Sequence, residues 1–306
     1  MTKVRILIAD EIDTSAVKNF SEKYSDKFPV KINFGISNQE IINTYNDFDV
    51  LIIRSIRKID KSFLDNVSFK IIATCSKGTD HIDVDYAKKK GIKILNAEEA
   101  NSVSAAEHTL GLILAIEKNL LLSDRLVRQN KFGFYDYERN ELRGRSIGII
   151  GFGKVGSYLG NICRALGMNV YANDIDKNVR SKNQGFIFKS LNYILKNSDI
   201  ISIHIPMNKK NDNFISKENF DLLKKDSVFI NTSRGSVIEE KYLLNLLKNR
   251  KIKFAGLDVF QNEPLINRDF AKLDNVILTN HIAGKTIQSR RKVAENIFEQ
   301  LLEICK

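Results

Sequence analysis

Three polar side chains late in the 306-residue chain have the chemistry of an acid–base site for a carboxylate substrate. Arg234 follows the run FINTS, Glu263 comes shortly after LDVF, and His281 follows VILTN. An arginine can grip a carboxylate with two parallel hydrogen bonds, and a histidine can carry a hydroxyl proton. A glutamate beside the histidine stabilises the imidazolium and fixes its tautomer. Taken singly, these residues also fit a surface cation, a loop acid and a core histidine.

The elements around these residues predict how they are positioned, because short apolar runs alternate with amphipathic stretches of helical length. A first series of predicted strands comprises VRILIAD (4–10), VKINFG (30–35), VLIIRS (50–55), KIIATCS (70–76) and KILNA (93–97). A second series comprises SIGII (146–150), NVYAND (169–174), IISIHIP (200–206), SVFINTS (227–233), FAGLDVF (254–260) and VILTNH (276–281). This rhythm predicts an α/β protein with two doubly wound parallel-sheet domains. Carboxyl ends of parallel strands share one edge of a sheet, so Arg234, Glu263 and His281 are expected to converge.

Between the two series, residues 102–126 predict one long helix, with Ser104 and Glu107 spaced as a capping box at its start. The 306-residue length favours two domains over one. The net charge of +11 is spread over scattered lysines, so we expect no nucleic-acid partner. The chain has no apolar run of about 18 residues, and its start reads as a first strand and not as a signal peptide. The isolated residues Cys75, Cys163 and Cys305 exclude a disulfide framework and a zinc motif, which fits the cytoplasm.

The stretch GIIGFGKVG carries Gly151-x-Gly153-x-x-Gly156 between a predicted strand and a predicted helix. The next strand ends in Asp174, which is the full context of the dinucleotide-binding fingerprint. Gly151 permits the tight turn, Gly153 lets a pyrophosphate approach the backbone, and Gly156 lets helix and strand pack closely. The phosphates are expected at the helix N-terminus. The carboxylate of Asp174 can bind a ribose and repels a 2′-phosphate, so the sequence predicts NAD in preference to NADP.

Several blocks resemble, in order, those of the D-isomer-specific 2-hydroxyacid dehydrogenases, most of all the D-3-phosphoglycerate dehydrogenase branch. They are NAEEANSVSAAEHTLGLILAI (96–116), LRGRSIGIIGFGKVG (142–156), HIP (204–206), INTSRGSVIEE (230–240), LDVFQNEP (257–264) and HIAG (281–284). The similarity extends over nearly the whole chain. It implies a flavodoxin-like substrate domain at 1–98 and 286–306 and a Rossmann NAD-binding domain at 99–285. It also implies a homodimer, with the helix near 102–121 in the interface.

Residue by residue, the resemblance implies a catalytic triad of Arg234, Glu263 and His281. It implies cofactor contacts from Ser104, Gly151, Gly153, Lys154, Val155, Gly156, Asp174, His204, Ile205, Pro206, Thr232, Asp258 and Gly284. Substrate contacts are implied for Arg54, Ser55, Lys77 and Gly78. His81 and His108 match no catalytic position and are predicted to be structural.

The implied activity is NAD-dependent oxidation of D-3-phosphoglycerate to 3-phosphohydroxypyruvate, as in serine biosynthesis. Two alternatives are a reductase of hydroxypyruvate, glyoxylate or D-lactate type and an NAD-sensing binding protein of the corepressor type. The chain ends about 20 residues after HIAG, so we expect no C-terminal regulatory domain. Glu239 stands where the family commonly has Asp. The stretch 131–138 lacks the expected phosphate-gripping basic residue, for which the candidates are Arg57, Lys58, Lys77 and Arg139.

Overall fold

The computed structural model describes residues 3–76, 78–97, 100–133 and 138–305 of the chain. Its contacts divide the chain into two compact units. Unit 1 comprises Met1–Asn101 and Lys285–Lys306, and unit 2 comprises Ser102–Gly284. The last part of the chain therefore packs with the first part, although the whole of unit 2 lies between them in sequence.

Unit 1 is built on a five-stranded sheet in which all strands are parallel. The strands are β1 Ile6–Ile8, β2 Val30–Ile32, β3 Val50–Ile53, β4 Ile71–Thr74 and β5 Lys93–Asn96. Their order in the sheet is β2-β1-β3-β4-β5. This is the flavodoxin-like order, so the fold predicted for this unit is confirmed.

Unit 2 is built on a seven-stranded sheet, also parallel throughout. The strands are β6 Ser146–Ile150, β7 Asn169–Asn173, β8 Ile187–Phe188, β9 Ile200–Ile203, β10 Val228–Asn231, β11 Phe254–Leu257 and β12 Val276–Leu278. The order β12-β11-β10-β9-β6-β7-β8 reverses direction at β6, as in the Rossmann fold. The predicted class of this unit is therefore also confirmed.

The helices cover both faces of the two sheets. They are α1 Thr14–Tyr24, α2 Asn38–Thr44, α3 Lys61–Asp65, α4 Val84–Lys89, α5 Ser102–Glu117, α6 Leu120–Arg128, α7 Lys154–Ala165, α8 Lys177–Lys182, α9 Leu191–Asn197, α10 Lys217–Phe220, α11 Glu240–Lys248 and α12 Ile287–Ile304. Many begin after a residue whose side chain accepts a backbone N–H of the first turn, as Asp13, Asp60 and Thr286 do. Within the described residues, none of these helices combines the length and the apolar character that crossing a membrane requires.

Each sheet is sandwiched between two hydrophobic clusters, one on each face. The central strands β3, β9 and β10 are buried along their whole length. Strands that are covered on both faces have near-continuous apolar sequences, which is why runs such as VLII and IISI identify them.

The structure differs from the sequence expectation in the long helix after unit 1. The predicted single helix at 102–126 is two helices, α5 and α6, because Asn119 adopts a left-handed φ of 51° between them. Asn tolerates this conformation better than most residues, and its side chain donates to the carbonyl of Glu138 at 2.8 Å. The capping-box prediction is also wrong: the helix begins at Ser102, so Ser104 lies inside its first turn.

Candidate active site

The three residues of the predicted triad follow three neighbouring strands of unit 2. Arg234 follows β10, Glu263 follows β11, and His281 follows β12. The Nδ1 atom of His281 lies 2.6 Å from the Oε2 atom of Glu263. Both side chains are partly exposed, at 40% and 34%. The structure therefore brings the predicted acid and the predicted imidazole into direct contact at the carboxyl edge of the sheet.

Glu263 is held in the ionised form by its surroundings. Burial acts to raise its pKa, but the hydrogen bond with His281, the N–H of Phe260 and the positive charges of His281 and Arg234 outweigh that effect. The net result is a pKa below the ordinary value for glutamate. A carboxylate at Nδ1 is an acceptor only, so it fixes the proton on that nitrogen and leaves Nε2 as the atom available to a substrate.

His281 sits in an unusual backbone conformation that a buried acid supports. Its φ is 55°, in the left-handed region. Asp258 has no exposed surface, and its carboxylate accepts the N–H groups of Ile282 and Ala283, each at 2.9 Å. The N–H of His281 itself donates to the carbonyl of Asp258 at 2.8 Å. Asp258 thus holds the backbone at His281 and in the two residues that follow it. Its predicted cofactor contact stays a prediction.

The helix α5 is connected to Asp258 through the side chains of His108 and Thr279. The hydroxyl of Thr279 donates to Asp258 at 2.6 Å, and Nε2 of His108 lies 3.1 Å from that hydroxyl. Thr279 has one hydrogen and gives it to the carboxylate, so the imidazole of His108 must be the donor in the second contact. His108 was predicted to be structural, and Thr279 was not among the predicted site residues. The missed signal is the four-residue spacing from Ser104 to His108, which places both on one face of a helix.

The turn after β6 has the geometry that a nucleotide phosphate needs. Gly151 has a φ of 87°, and a Cβ there would lie 2.6 Å from the carbonyl oxygen of His204. A Cβ at Gly156 would lie 2.2 Å from the carbonyl oxygen of Gly151. A Cβ at Gly153, which caps α7, would meet nothing within 4 Å. Packing therefore requires the first and third glycines, while the second leaves open space at the helix N-terminus, as the fingerprint predicts.

Asp174 lies directly against this turn. One carboxylate oxygen accepts the N–H of Phe152 at 2.8 Å, and the other accepts the N–H of Asp176 at 2.9 Å. The Nε atom of Arg180 donates to the Asp174 carbonyl at 2.6 Å. The acid thus stands beside the glycine turn at the end of β7, where the fingerprint places a ribose-binding carboxylate.

The remaining predicted cofactor contacts lie near the same edge of the unit 2 sheet. His204 follows β9 and contacts the hydroxyl of Ser202 through Nε2 at 2.9 Å. Thr232 follows β10, and its hydroxyl lies 2.8 Å from that of Thr109 on α5. The other members are Ser104 in the first turn of α5, Lys154 and Val155 at the start of α7, Ile205 and Pro206 after β9, and Gly284 in the turn after His281. Their roles stay predictions.

The predicted substrate residues lie in unit 1, at the ends of two neighbouring strands. Arg54 and Ser55 follow β3, and Gly78 comes after β4. The backbone N–H of Arg54 donates to the carboxylate of Asp10 at 2.9 Å, so the start of this loop is fixed. Lys77 lies outside the described residues. The two loops are thus brought together by the strand order of unit 1.

Arg57 is not free to bind a phosphate. It is 9% exposed, and Nη2 lies 2.7 Å from the carboxylate of Asp10 and 2.7 Å from the carbonyl of Ile36. The Nη1 atom donates to Asn38 at 2.8 Å. The expectation that Arg57 could grip a phosphate is therefore wrong, because the buried ion pair already uses its donors. Of the other candidates, Lys58 and Arg139 are exposed, and much of the stretch 131–138 is outside the described residues.

The described part of the chain contains no group of three or more His, Cys, Asp or Glu side chains that could hold a metal ion. The site of unit 2 instead combines a glycine turn for phosphates, a ribose-binding acid and an acid–imidazole pair. These are the groups that a dinucleotide-dependent proton and hydride transfer requires.

Comparison with known proteins agrees with this geometry. A sequence model described as the D-isomer specific 2-hydroxyacid dehydrogenase, NAD binding domain, matches residues 110–283. The D-3-phosphoglycerate dehydrogenase of Methanocaldococcus jannaschii is 32% identical over 306 residues, which cover 99% of this chain and 58% of that protein. The hydroxypyruvate reductase of Thermotoga maritima is 31% identical over 307 residues, covering 99% of each. The chain thus spans less than two thirds of the phosphoglycerate dehydrogenase and nearly the whole of the reductase.

Among solved structures, a D-lactate dehydrogenase from Aquifex aeolicus complexed with NAD and lactic acid superposes with a TM-score of 0.83. It is 28% identical in sequence, and the match covers 98% of this chain and 95% of that one. An acyclic imino acid reductase in complex with NADPH and D-Arg, also 28% identical, superposes with a TM-score of 0.86 over 98% of this chain and 97% of that one. The shared architecture therefore occurs with more than one substrate and with both nicotinamide cofactors.

Proposed function

The chain belongs to the D-isomer-specific 2-hydroxyacid dehydrogenase family, and from that premise we propose that it interconverts a small D-2-hydroxy acid and its 2-keto acid with NAD. The observation that carries this proposal is the 2.6 Å contact between Glu263 and Nδ1 of His281. An acid that fixes the tautomer of a partly exposed imidazole is the arrangement that proton transfer to a substrate needs.

His281 is the proton carrier in this proposal. In the oxidative direction its Nε2 atom takes the proton of the substrate hydroxyl, and in the reductive direction the same atom returns it to the carbonyl oxygen. Glu263 stabilises the positive charge that the imidazole gains. A positioned acid–base of this kind contributes about 10²–10⁴-fold to the rate. NAD, when bound, supplies the acceptor for the hydrogen that leaves C2 with its electron pair.

Arg234 is the proposed anchor of the substrate carboxylate. Its guanidinium already acts electrostatically on Glu263, which places a permanent positive charge near the acid–imidazole pair. A guanidinium can hold a carboxylate through two parallel hydrogen bonds. We propose Arg54, Ser55, Lys77 and Gly78 of unit 1 as further substrate contacts.

The residues of the glycine turn fit NAD. The open space at Gly153 and the N–H groups at the start of α7 suit a pyrophosphate. The carboxylate of Asp174 suits a ribose with free hydroxyls and repels a 2′-phosphate. NAD is therefore the proposed cofactor, and a Michaelis constant for NADP far below that for NAD is the outcome that would contradict this assignment.

The first candidate substrate is D-3-phosphoglycerate, oxidised to 3-phosphohydroxypyruvate in serine biosynthesis. Support comes from relatives of that name, such as the proteins of Methanocaldococcus jannaschii and Archaeoglobus fulgidus, both 32% identical. The second candidate is an unphosphorylated 2-keto acid. It would be hydroxypyruvate, glyoxylate or the keto acid whose reduction gives D-lactate. The burial of Arg57 in the ion pair with Asp10 favours this second candidate, because it leaves one basic side chain fewer among the candidates for binding a phosphate.

A substrate panel tests the proposal. NAD reduction is measured with 3-phosphoglycerate, glycerate and D-lactate, and NADH oxidation with hydroxypyruvate and glyoxylate, for the wild type and for His281→Asn. We expect turnover with at least one compound and a loss of about 10²-fold or more in the variant. NAD binding without any turnover would instead support the corepressor-type binding protein, which has no need of the Glu263–His281 pair.

We also propose that the protein is a homodimer. The apolar side chains of α6 that face solvent, among them Leu121 at 54% exposure, support an interface there. The three cysteines are free, which fits a reducing compartment such as the cytoplasm.

A further inference from the structure

A second glutamate holds the loop that carries Glu263. Glu240 is the first residue of α11 and is only 7% exposed. Its Oε2 atom accepts the N–H of Gln261 at 2.7 Å. The preceding N–H, that of Phe260, donates to Oε1 of Glu263 at 2.9 Å. Two successive backbone donors of this loop are therefore taken by two different carboxylates.

A close backbone contact lies beside this hydrogen bond. A Cβ at Gly235 would lie 1.9 Å from the carbonyl carbon of Phe260 and 2.3 Å from the nitrogen of Gln261. Gly235 directly follows Arg234 in the chain. The segment from Arg234 to Glu240 thus touches the loop of Glu263 at two points, and it carries one triad member while it restrains the position of another.

The carboxylate of Glu240 is unfavourable where it lies. Burial raises its pKa, the N–H of Gln261 lowers it, and the negative charge of Glu263 raises it further. The positive charges of His281 and Arg234 stabilise the carboxylate of Glu263. An apolar side chain would avoid this electrostatic cost but could not accept the Gln261 N–H. The hydrogen bond to the loop is therefore the interaction that accounts for a hydrogen-bond acceptor at this position.

We propose that Glu240 is a positioning residue, which holds the loop 260–263 so that Glu263 remains against Nδ1 of His281. Its kinetic consequence rests on the proposed dehydrogenase function. Its structural consequence, the restraint of the loop, does not, so the two can be tested separately.

The chain supplies a matched control in the neighbouring residue. Glu239 also accepts a backbone N–H from another segment, that of Lys217 at 2.8 Å, but this donor belongs to α10 and not to the loop of Glu263. The variants are Glu240→Ala, Glu240→Gln and, as control, Glu239→Ala. Glu240→Asp, which withdraws the carboxylate by one methylene, replaces Glu240→Ala if the latter does not fold. The first measurement is hydrogen exchange of the peptide covering 258–264 without substrate, and the second is kcat and KM with hydroxypyruvate and NADH.

We expect Glu240→Ala to speed exchange of the peptide covering 258–264 by about tenfold or more, because the Gln261 amide loses its acceptor and only Glu263 still holds the neighbouring Phe260 amide. We expect kcat to fall by about tenfold with KM for NADH within twofold, since a small misplacement of Glu263 affects the chemical step. Glu240→Gln keeps an acceptor oxygen and should stay close to wild type in both measurements, as should Glu239→Ala. Unchanged exchange in Glu240→Ala, or an equal effect of Glu239→Ala, would overturn the proposal. If no substrate is turned over, the dehydrogenase function fails while the exchange result still decides whether Glu240 restrains the loop.

Discussion

A single acid, Glu263, decides which nitrogen of His281 can do chemistry. Its pKa is lowered because the hydrogen bonds from His281 and Phe260 and the nearby positive charges outweigh its burial. The pKa of Glu263 lies below its ordinary value of 4.5. The carboxylate is therefore ionised and paired with His281 above pH 4.5, and the pairing is lost only when the pH falls through the lower pKa of the folded protein. The Glu263–His281 pair is therefore expected to persist in mildly acidic solution.

The reductive reaction needs a protonated imidazole, which an ionised Glu263 stabilises. We expect wild-type kcat with hydroxypyruvate and NADH to hold between about pH 6 and 4.5. Glu263→Gln removes the charge that stabilises the imidazolium, so its kcat should fall by about 10–100-fold at neutral pH. The measurement is a stopped-flow profile of kcat against pH for both proteins. Superimposable profiles would show that the carboxylate charge has no part in the proton transfer.

At this scale the sequence predicted residue types better than residue contacts. Strand ends and the spacing of polar residues were enough to predict the meeting of Glu263 and His281. They could not show that Asp258 is fully buried beneath the turn of His281, or that His108 reaches it through Thr279. Those contacts depend on how a distant helix packs on the sheet, and periodicity in the sequence does not encode that arrangement.

The helix α5 is joined to the ends of β11 and β12 by the contacts of His108 and Thr279. Thr279→Val keeps the shape of the side chain but leaves the buried Asp258 carboxylate without one donor. We expect the free energy of unfolding to fall by about 1–3 kcal/mol and kcat to fall with it, because the turn of His281 loosens. Urea denaturation with parallel kinetics measures both. Thr279→Ser keeps the hydroxyl and is the control, and equal stability of the Val and Ser variants would contradict the role of this bond.

The carboxylate of Asp199 holds together the segments at the start of the unit 2 sheet. Burial acts to raise the pKa of Asp199, but hydrogen bonds from Lys224 and from the backbone and hydroxyl of Ser146 lower it to about 2. These contacts join β6 and β9 to the segment before β10. The lowered pKa means that their stabilisation is present above about pH 4 and is lost as the pH falls towards 2.

Asp199→Asn should therefore lower the free energy of unfolding by about 1 kcal/mol at neutral pH, allowing for partial solvent screening. The difference from wild type should shrink steadily as the pH falls towards 2, where the Asp199 carboxylate of the folded protein becomes protonated. Denaturant titrations at several pH values between 2 and 7 measure it. A difference that stays constant over that range would mean that the ionisation of Asp199 is not its source.

Strands that are completely buried were predictable from the sequence. Very short strands and the points where helices end were less so. The buried runs of β3, β9 and β10 have apolar sequences with no other simple interpretation. The short strand β8, with two residues, carries too little pattern to be recognised. The break between α5 and α6 depends on the left-handed conformation of Asn119, and the surrounding residues continue the helical period on both sides.

Across the two units, the alternation of strand and helix predicted two parallel sheets, and the strand orders then distinguish the units. The order in unit 2 reverses at β6, and the glycine turn lies at that reversal, where open α/β sheets bind ligands. The sequence fingerprint and the topology thus lead to the same place independently. For the oligomeric state, the only basis in the sequence is the resemblance to the family.

The helix α6, all of whose residues the structure describes, has no buried residue. Leu120, Leu121 and Val127 are 51%, 54% and 47% exposed, and a helix with several exposed apolar residues commonly marks an interface. We therefore expect a homodimer of about twice 34.9 kDa. Leu121→Asp should shift the mass measured by light scattering towards that of the monomer, because it places a charge in the apolar contact. Ile187→Asp, at a residue of β8 that is 56% exposed, is the control and should remain dimeric. A wild-type protein that is monomeric at micromolar concentration would show that α6 is not used in this way.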